Sequence, residues 1–181
     1  MTAIRQPEEI GTVYKIPVSE LVPHPLNPYH VRDDDAMMEL AASIEKHGVL
    51  VPVIARHTDS GYELIAGHRR QHAAQLIGMD SIPVLVLELD DDDAIIQLVD
   101  SNIQREGILP SERAWAYKLR MDAMKHKAGR PAKEDDLNIP PRFRSDDKLG
   151  ILAGVSGDTI RNYISLTNLI KPIMDMVDNK N

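Results

Sequence analysis

The chain has 181 residues, 43% of them apolar and 27% charged, which is room for one large or two small domains with a real core. It contains no cysteine, so disulfides, thiolate zinc sites and cysteine catalysis are excluded, and a reducing cytoplasm fits. No apolar run approaches the roughly eighteen residues of a membrane span, and Met1 to Glu9 lacks the apolar centre of a signal peptide. The net charge of −7 hides an asymmetry: residues 1–100 carry 7 Lys+Arg against 17 Asp+Glu, and residues 101–181 carry 14 against 11. An acidic first part repels nucleic acid; the basic second part allows it.

Residues 1–12 read as a flexible tail. Val13 to Val18 alternates as a strand does, and Pro23, Pro25 and Pro28 mark an irregular loop. Asp33 to His47 has the pattern of an amphipathic helix, with Met37, Leu40, Ala41 and Ile44 as its stripe and Gly48 as its stop. Val49 to Arg56 and Tyr62 to Ala66 read as strands joined by a turn at Asp59-Ser60-Gly61. At Ala66-Gly67-His68-Arg69-Arg70 a strand turns sharply into a helix, whose Ala73, Leu76 and Ile77 recur at helical spacing before Gly78. Such a turn leaves unbonded N–H groups at the positive end of the helix dipole, and two arginines add charge suited to phosphate oxygens. Two readings stand for it: an anion site, most simply for a di- or triphosphate, and a surface helix whose arginines face water.

Ile82 to Leu89 is a nearly continuous apolar run, expected to be a buried strand. Asp90 to Asp93 would cap a helix running to about Arg105; a metal role is the alternative, though four neighbouring carboxylates cannot all face one ion. A further helix runs from Leu109 to Lys127, with Trp115 read as a core residue. Gly129 to Asp147, rich in proline and mixed charge, reads as a linker. Residues 146–165 then read as a helix-turn-helix: Lys148 to Ala153, a turn at Gly154-Val155-Ser156, and a second helix from Asp158 with Ser156 as its N-cap. Thr159, Arg161 and Asn162 are residue types that reach bases and phosphates, with Lys148 nearby. The alternative is an αα-hairpin in a helical bundle.

Three motifs, in order, resemble those of the ParB partition-protein family. Ser43-Ile44 to Ile54 is similar to its Ser-Ile-x-x-x-Gly-apolar-x-Pro stretch, Ala66 to Arg70 to its Gly-Glu-Arg-Arg motif, and Asp100-Ser101-Asn102-Ile103-Gln104-Arg105 to its Glu-Asn-Ile-Gln-Arg motif. The resemblance implies an α/β (α+β) ParB/sulfiredoxin-like N-terminal domain over 13–105, then an all-α domain over 106–181 carrying the helix-turn-helix and favouring DNA binding. It implies a site for CTP with Mg2+. Gly48, Val49, Leu50, Val51 and Pro52 would line the base. Ala66, Gly67, His68, Arg69 and Arg70 would cradle the phosphates, and Arg105 would steady the triphosphate or its own helix. Asn102 would ligate the metal, an amide oxygen suiting that cation. His68 and Ser101 stand where the family has glutamates, at the positions that order magnesium or the attacking water. As catalytic residues they are poor substitutes, so binding is expected with weak or lost hydrolysis. A protonated His68 could instead donate to phosphate.

The partners implied are double-stranded DNA with a palindromic site, a second copy of the chain through a nucleotide-dependent N-terminal contact, and a ParA-type ATPase. No membrane is implied, and the location is cytoplasmic, with the nucleoid or a plasmid. Sulfiredoxin shares the fold but needs a cysteine. A nuclease would need a carboxylate cluster beyond Asp90–Asp93. The remaining alternative is a transcriptional regulator of a mobile element with a vestigial nucleotide site. Family members normally continue into a dimerisation module, so a chain ending at Asn181 reads as a truncated or short form.

Overall fold

The computed structural model describes residues 12–59, 61–128 and 144–179. The expected tail at 1–12 lies almost wholly outside them, as does most of the expected linker. The chain divides into two compact units, Met1–Asp90 and Asp91–Asn181.

The first unit is a five-stranded mixed sheet with two helices. Its strands are β1 (Val13–Pro17), β2 (Leu21–Pro23), β3 (Val53–Thr58), β4 (Gly61–Ala66) and β5 (Ser81–Leu87), in the spatial order β1-β5-β3-β4-β2. β3 and β4 pair antiparallel as a hairpin, β3 pairs parallel with β5, and β1 closes the far edge antiparallel to β5. The apolar run of β5 is not buried on both faces: Ile82, Val84 and Val86 are buried, while Pro83, Leu85 and Leu87 are half-exposed. They join Ile16, Val18, Leu21, Val53, Ala55, Tyr62 and Leu64 in the core.

Helix α1 (Asp35–His47) starts where its sequence supplies a cap, since the Asp34 carboxylate accepts from the Met37 N–H at 2.8 Å. Met37, Ala41 and Ile44 fall on one face and pack with Ala73 of α2 (His68–Leu76). Met37 is fully buried, worth about 1.5–3 kcal/mol relative to exposure. In α2 the buried residues are Gln71, Ala73 and Ala74, and Leu76 is exposed rather than on the packed face. The small alanines let this helix lie close to its neighbours, and Gln71 donates to the Leu21 carbonyl at 2.7 Å, fixing α2 to β2. The expected strand at Val49 begins only at Val53. Gly48 ends α1 with φ +72°, and Val49 to Pro52 form a loop before pairing starts.

The described part of the second unit is helical: α3 (Asp91–Asp100), α4 (Pro110–Ala128), α5 (Ser145–Ala153), α6 (Gly157–Leu166) and α7 (Lys171–Asp178). Asp91, Asp92 and Asp93 form the first turn of α3, and two of their side chains clasp the end of α4: Asp92 lies 3.3 Å from His126, and Asp93 pairs with Lys127. α3 stops at Asp100, not near Arg105. The Ser101 hydroxyl donates to the Leu98 carbonyl at 2.9 Å and the Asn102 amide to the same carbonyl at 3.1 Å, so side chains compete there with the helix's own donors. Residues 145–147, placed in the expected linker, form the first turn of α5. Trp115 is not core. It is 43% exposed, with the Lys118 ammonium 4.9 Å from its ring centre, because α4 buries the face carrying Ala116, Tyr117, Arg120 and Ala123 instead. Tyr117, Leu149 and Ile160 centre the core beneath α5 and α6, and Ile103 and Val155 pack against it. No described helix is long and apolar enough to cross a membrane.

Candidate functional site

In the first unit the Gly67 turn and the Gly48–Pro52 loop meet. Gly67 caps α2 with φ +99°, and a Cβ there would lie 2.6 Å from Val53 Cγ1, so the turn sits directly against the start of β3. The first intrahelical bond runs from the Gln71 N–H to the Gly67 carbonyl at 3.0 Å. The N–H groups of His68, Arg69 and Arg70 precede it and have no place in the helix ladder. The Arg70 Nη1 donates to the carbonyls of Val51 and Pro52, the latter at 2.8 Å, tying the loop to α2. Burial lowers the Arg70 pKa from its ordinary value, yet a guanidinium stays charged. Leu50 and Val51 stand out into water, 80% and 63% exposed. Arg69 lies 3.5 Å from Asp34, and His72 is 2.6 Å from Asp33. These two partly exposed pairs add little stability. Asp34 therefore caps α1 and faces Arg69, a relation the sequence did not suggest. Ala66, buried at the end of β4, sets the direction of the turn.

His68 is half-buried and its Nε2 has no partner among the described residues. Burial, with the nearby His24 second, pushes its imidazole down to about 4. By itself the chain thus holds His68 neutral at pH 7. His24 itself is buried, its Nδ1 accepting from the Leu26 N–H at 3.1 Å.

A pH dependence follows. Histidine in the unfolded chain titrates near 6.5 and folded His68 near 4. Between those values the unfolded chain binds more protons, so this stability is complete above pH 6.5 and is lost as the pH falls toward 4. Its size is about 3 kcal/mol. Urea unfolding at several pH values, read by amide exchange in β3 and β4, should show a flatter acid limb in His68→Gln. An unchanged limb in that variant would refute the assignment.

In the second unit Asp100, Ser101, Ile103, Gln104, Arg105 and Leu152 line a shallow cleft. Asn102 Nδ2 donates to the Leu98 carbonyl and, at 3.0 Å, to the Ser101 hydroxyl. Both amide protons are thereby used, and the Asn102 Oδ1 has no partner among the described residues. Asp100 does not stand in for the carboxylate missing at Ser101. Its two oxygens accept from Arg120 Nε at 2.6 Å and Nη2 at 3.0 Å, and Arg120 is 2% exposed. Sequence reading missed this buried arginine; its signal was a charge on the apolar stripe of α4, three residues after Tyr117.

The turn between α5 and α6 is as expected. Gly154 adopts φ +69°, and Ser156 caps α6 by accepting from the Thr159 N–H at 3.1 Å. Gly150 makes the pair possible, since a Cβ there would meet the Val155 carbonyl at 2.6 Å. Asn162 and Ser156 are exposed, and Thr159 and Lys148 are half-buried. Arg161 is committed within the protein: its guanidinium pairs with Asp158 on its own helix and with buried Asp146 on α5, which Arg144 also approaches at 3.4 Å. Carboxylates thus already hold this expected DNA contact.

The family model described as the ParB N-terminal domain matches residues 3–103. A nucleoid occlusion protein of Halalkalibacterium halodurans is 35% identical over 96% of this chain and 56% of its own length. Stage 0 sporulation protein J of Bacillus subtilis is 41% identical over 59% of this chain and 38% of its own. The chain thus spans about half the length of these curated relatives, or less. Among solved structures, the C-terminally truncated chromosome-partitioning protein ParB of Caulobacter crescentus, complexed to the centromeric parS site, has a TM-score of 0.58 at 23% identity, covering 90% of this chain and 75% of that one. A Pnob8-like ParB-N domain has the same TM-score at 18% identity, covering 89% of this chain and 70% of that one. With more than half of its residues matched by the family model and a fold shared with these structures, the chain belongs to the ParB N-terminal domain family.

Proposed function

We propose that this chain is the nucleotide- and DNA-binding part of a ParB-type partition clamp. It would bind CTP with magnesium, bind a palindromic DNA site, and engage a second copy of itself when nucleotide is present. The observation that carries the reading is the Gly67 turn, where three N–H groups outside the helix ladder face away from the start of α2 and Arg69 stands beside them. Those groups suit the phosphates, and the Gly48–Pro52 loop against them suits a base. Asn102 offers an amide oxygen to magnesium, its own protons being used elsewhere. Bound magnesium would neutralise phosphate charge and order water. The residues at the two glutamate positions, neutral His68 and the hydrogen-bonded Ser101, carry no negative charge with which to order magnesium or the attacking water, so turnover should be slow.

Calorimetric and melting titrations test this. CTP with magnesium at about 100 times its dissociation constant should stabilise the protein by roughly 2.7 kcal/mol, with little phosphate released even beside cognate DNA. The absence of a melting shift with any nucleotide at millimolar concentration would refute it. One observation favours the alternative of a regulator with a vestigial nucleotide site: Arg69 faces Asp34, and Arg70 bonds protein carbonyls. The same titration separates the two.

The DNA reading rests on the second unit. α6 presents Thr159 and Asn162 on one face, three residues apart, beyond a tight turn closed by Ser156. Asn162 suits an adenine edge, at about 1–3 kcal/mol of discrimination. Selection from a random DNA library should recover an inverted repeat that Asn162→Ala no longer enriches. Enrichment of no sequence at low salt would leave α5 and α6 as a helical-bundle hairpin. A ParA-type ATPase is the expected partner of the assembled clamp.

A further inference from the structure

Helix α6 carries a carboxylate on its outer face. Asp158 and Asn162 each stand two residues from Ile160, which is fully buried, so at about 100° per residue both point about 160° away from the core. Arg161 lies on the flank between that face and α5. Its Nη1 donates to the buried Asp146 and its Nη2 to Asp158, whose side chain is 78% exposed. The second oxygen of Asp158, Oδ2, accepts no hydrogen bond from the described residues. Arg144 closes the row, 3.4 Å from Asp146. Two acids thus alternate with two arginines, from the interior out to the first turn of α6. Gly157, where a Cβ would lie 3.3 Å from the Asp147 backbone nitrogen, lets the first turns of the two helices approach closely enough for Arg161 to reach across. The helix dipole favours an acid in any first turn. An arginine anchored on a buried carboxylate is more than that role needs.

We infer that Asp158 reads a cytosine in the major groove, accepting a hydrogen bond from its N4 amino group, and that Arg161 and Asp146 are positioning residues for it. This deepens the DNA reading above and rests on it. The N-terminal residues of a recognition helix are those that meet base edges. Cytosine offers an amino donor there, for which a carboxylate is the matching acceptor. Adenine also offers an amino group, but its N7 acceptor lies beside it and repels a carboxylate. DNA phosphates would repel an unaccompanied acid, and the Arg161 guanidinium offsets that charge. It also restricts the side chain to one geometry, so less freedom is lost on contact. Asp158 and Asn162 are about 6 Å apart along the helix, so their bases lie within about two steps of about 3.4 Å each.

The experiment selects bound sequences from a random DNA library with wild type, Asp158→Ala, Asp158→Asn, Arg161→Gln and Asp146→Asn, then measures affinity for single-base-pair variants of the enriched site. Wild type should require C·G at one position of each half-site, within about two base pairs of the position that Asn162→Ala relaxes. Asp158→Ala should accept all four base pairs there, losing about tenfold of discrimination, with every other position unchanged. Asp158→Asn should move the preference to A·T, whose adenine edge an amide matches. Arg161→Gln and Asp146→Asn should lower the cytosine preference at that position alone. Replacing the paired guanine by 7-deazaguanine, which lacks the N7 acceptor an arginine would use, should leave wild-type affinity unchanged. If that replacement weakens binding, Arg161 reads the guanine and the inference is wrong. It is equally wrong if Asp158→Ala keeps the preference, or tightens binding to all sequences alike as removal of a mere surface charge would; the DNA reading then stands. If wild type enriches no sequence at low salt, that reading itself fails and takes the inference with it. Should Asp158→Ala not fold, the isosteric Asp158→Asn decides, and a retained C·G preference there overturns the inference.

Discussion

Asp100→Ala should destabilise the second unit by about 3 kcal/mol, although Asp100 itself is partly exposed. The cost arises at its partner. Arg120 is 2% exposed and directs both Nε and Nη2 at the Asp100 carboxylate. Removing the acid leaves a buried guanidinium with the Met124 sulfur as its remaining polar contact among the described residues. One opposing effect is small: Asp100 is the last residue of α3, where a negative charge faces the negative end of the dipole, worth about 0.3–1 kcal/mol. The uncompensated charge therefore dominates. Urea unfolding read by Trp115 fluorescence reports this unit. The double variant Asp100→Ala with Arg120→Met should recover much of the loss, since an apolar replacement leaves no buried charge behind. Equal losses in the single and double variants would show that the ion pair is not the cause. The pair also fixes the chain immediately before Ser101 and Asn102, so Asp100→Ala should blur the presentation of that motif as well as weaken the fold.

Gly67→Ala should cost about 2–5 kcal/mol in the first unit, from two separable terms. The left-handed backbone contributes about 1–2 kcal/mol for any residue with a Cβ. Overpacking adds about 1–3 kcal/mol, because the new methyl would lie 2.6 Å from Val53 Cγ1 and 3.2 Å from Val53 Cα, and backbone cannot swing away as a flexible side chain can. Gly78 provides the control. It has φ +69° with nothing within 4 Å of its built Cβ, so Gly78→Ala should show the backbone term alone. Equal losses at the two positions, measured by urea unfolding with amide exchange in β3 and β4, would remove the packing argument. Because Val53 follows the Gly48–Pro52 loop directly, Gly67→Ala should also weaken nucleotide binding under conditions where the protein remains folded.

Much of the first unit could be read without coordinates. Helix α1 declares itself through Asp34, the stripe of Met37, Ala41 and Ile44, and Gly48, because capping, periodicity and a positive φ are local properties. The β3–β4 hairpin, the Gly67 turn and the Ser156 cap are legible for the same reason. The motifs around Gly67 and Asn102 identified the family, which the family model then matched. Tertiary structure decided where two residues distant in sequence compete for one side chain. Arg69 and Arg70 look equivalent in the sequence, but only Arg70 finds carbonyls nineteen and eighteen residues back along the chain. Trp115 looked like core because it is large and apolar, whereas α4 turned Arg120 inward, a choice made stable only by Asp100 twenty residues earlier. His68 could be read either as a poor substitute for a glutamate or as a protonated donor, and its burial, with His24 second, favours the neutral form in the chain by itself. Arg161 looked free for DNA, and Asp146, fifteen residues before it, holds it. Local chemistry is written in neighbouring residues; burial and charge pairing depend on which distant groups the fold brings within a few ångströms, and that is settled only when the chain closes on itself.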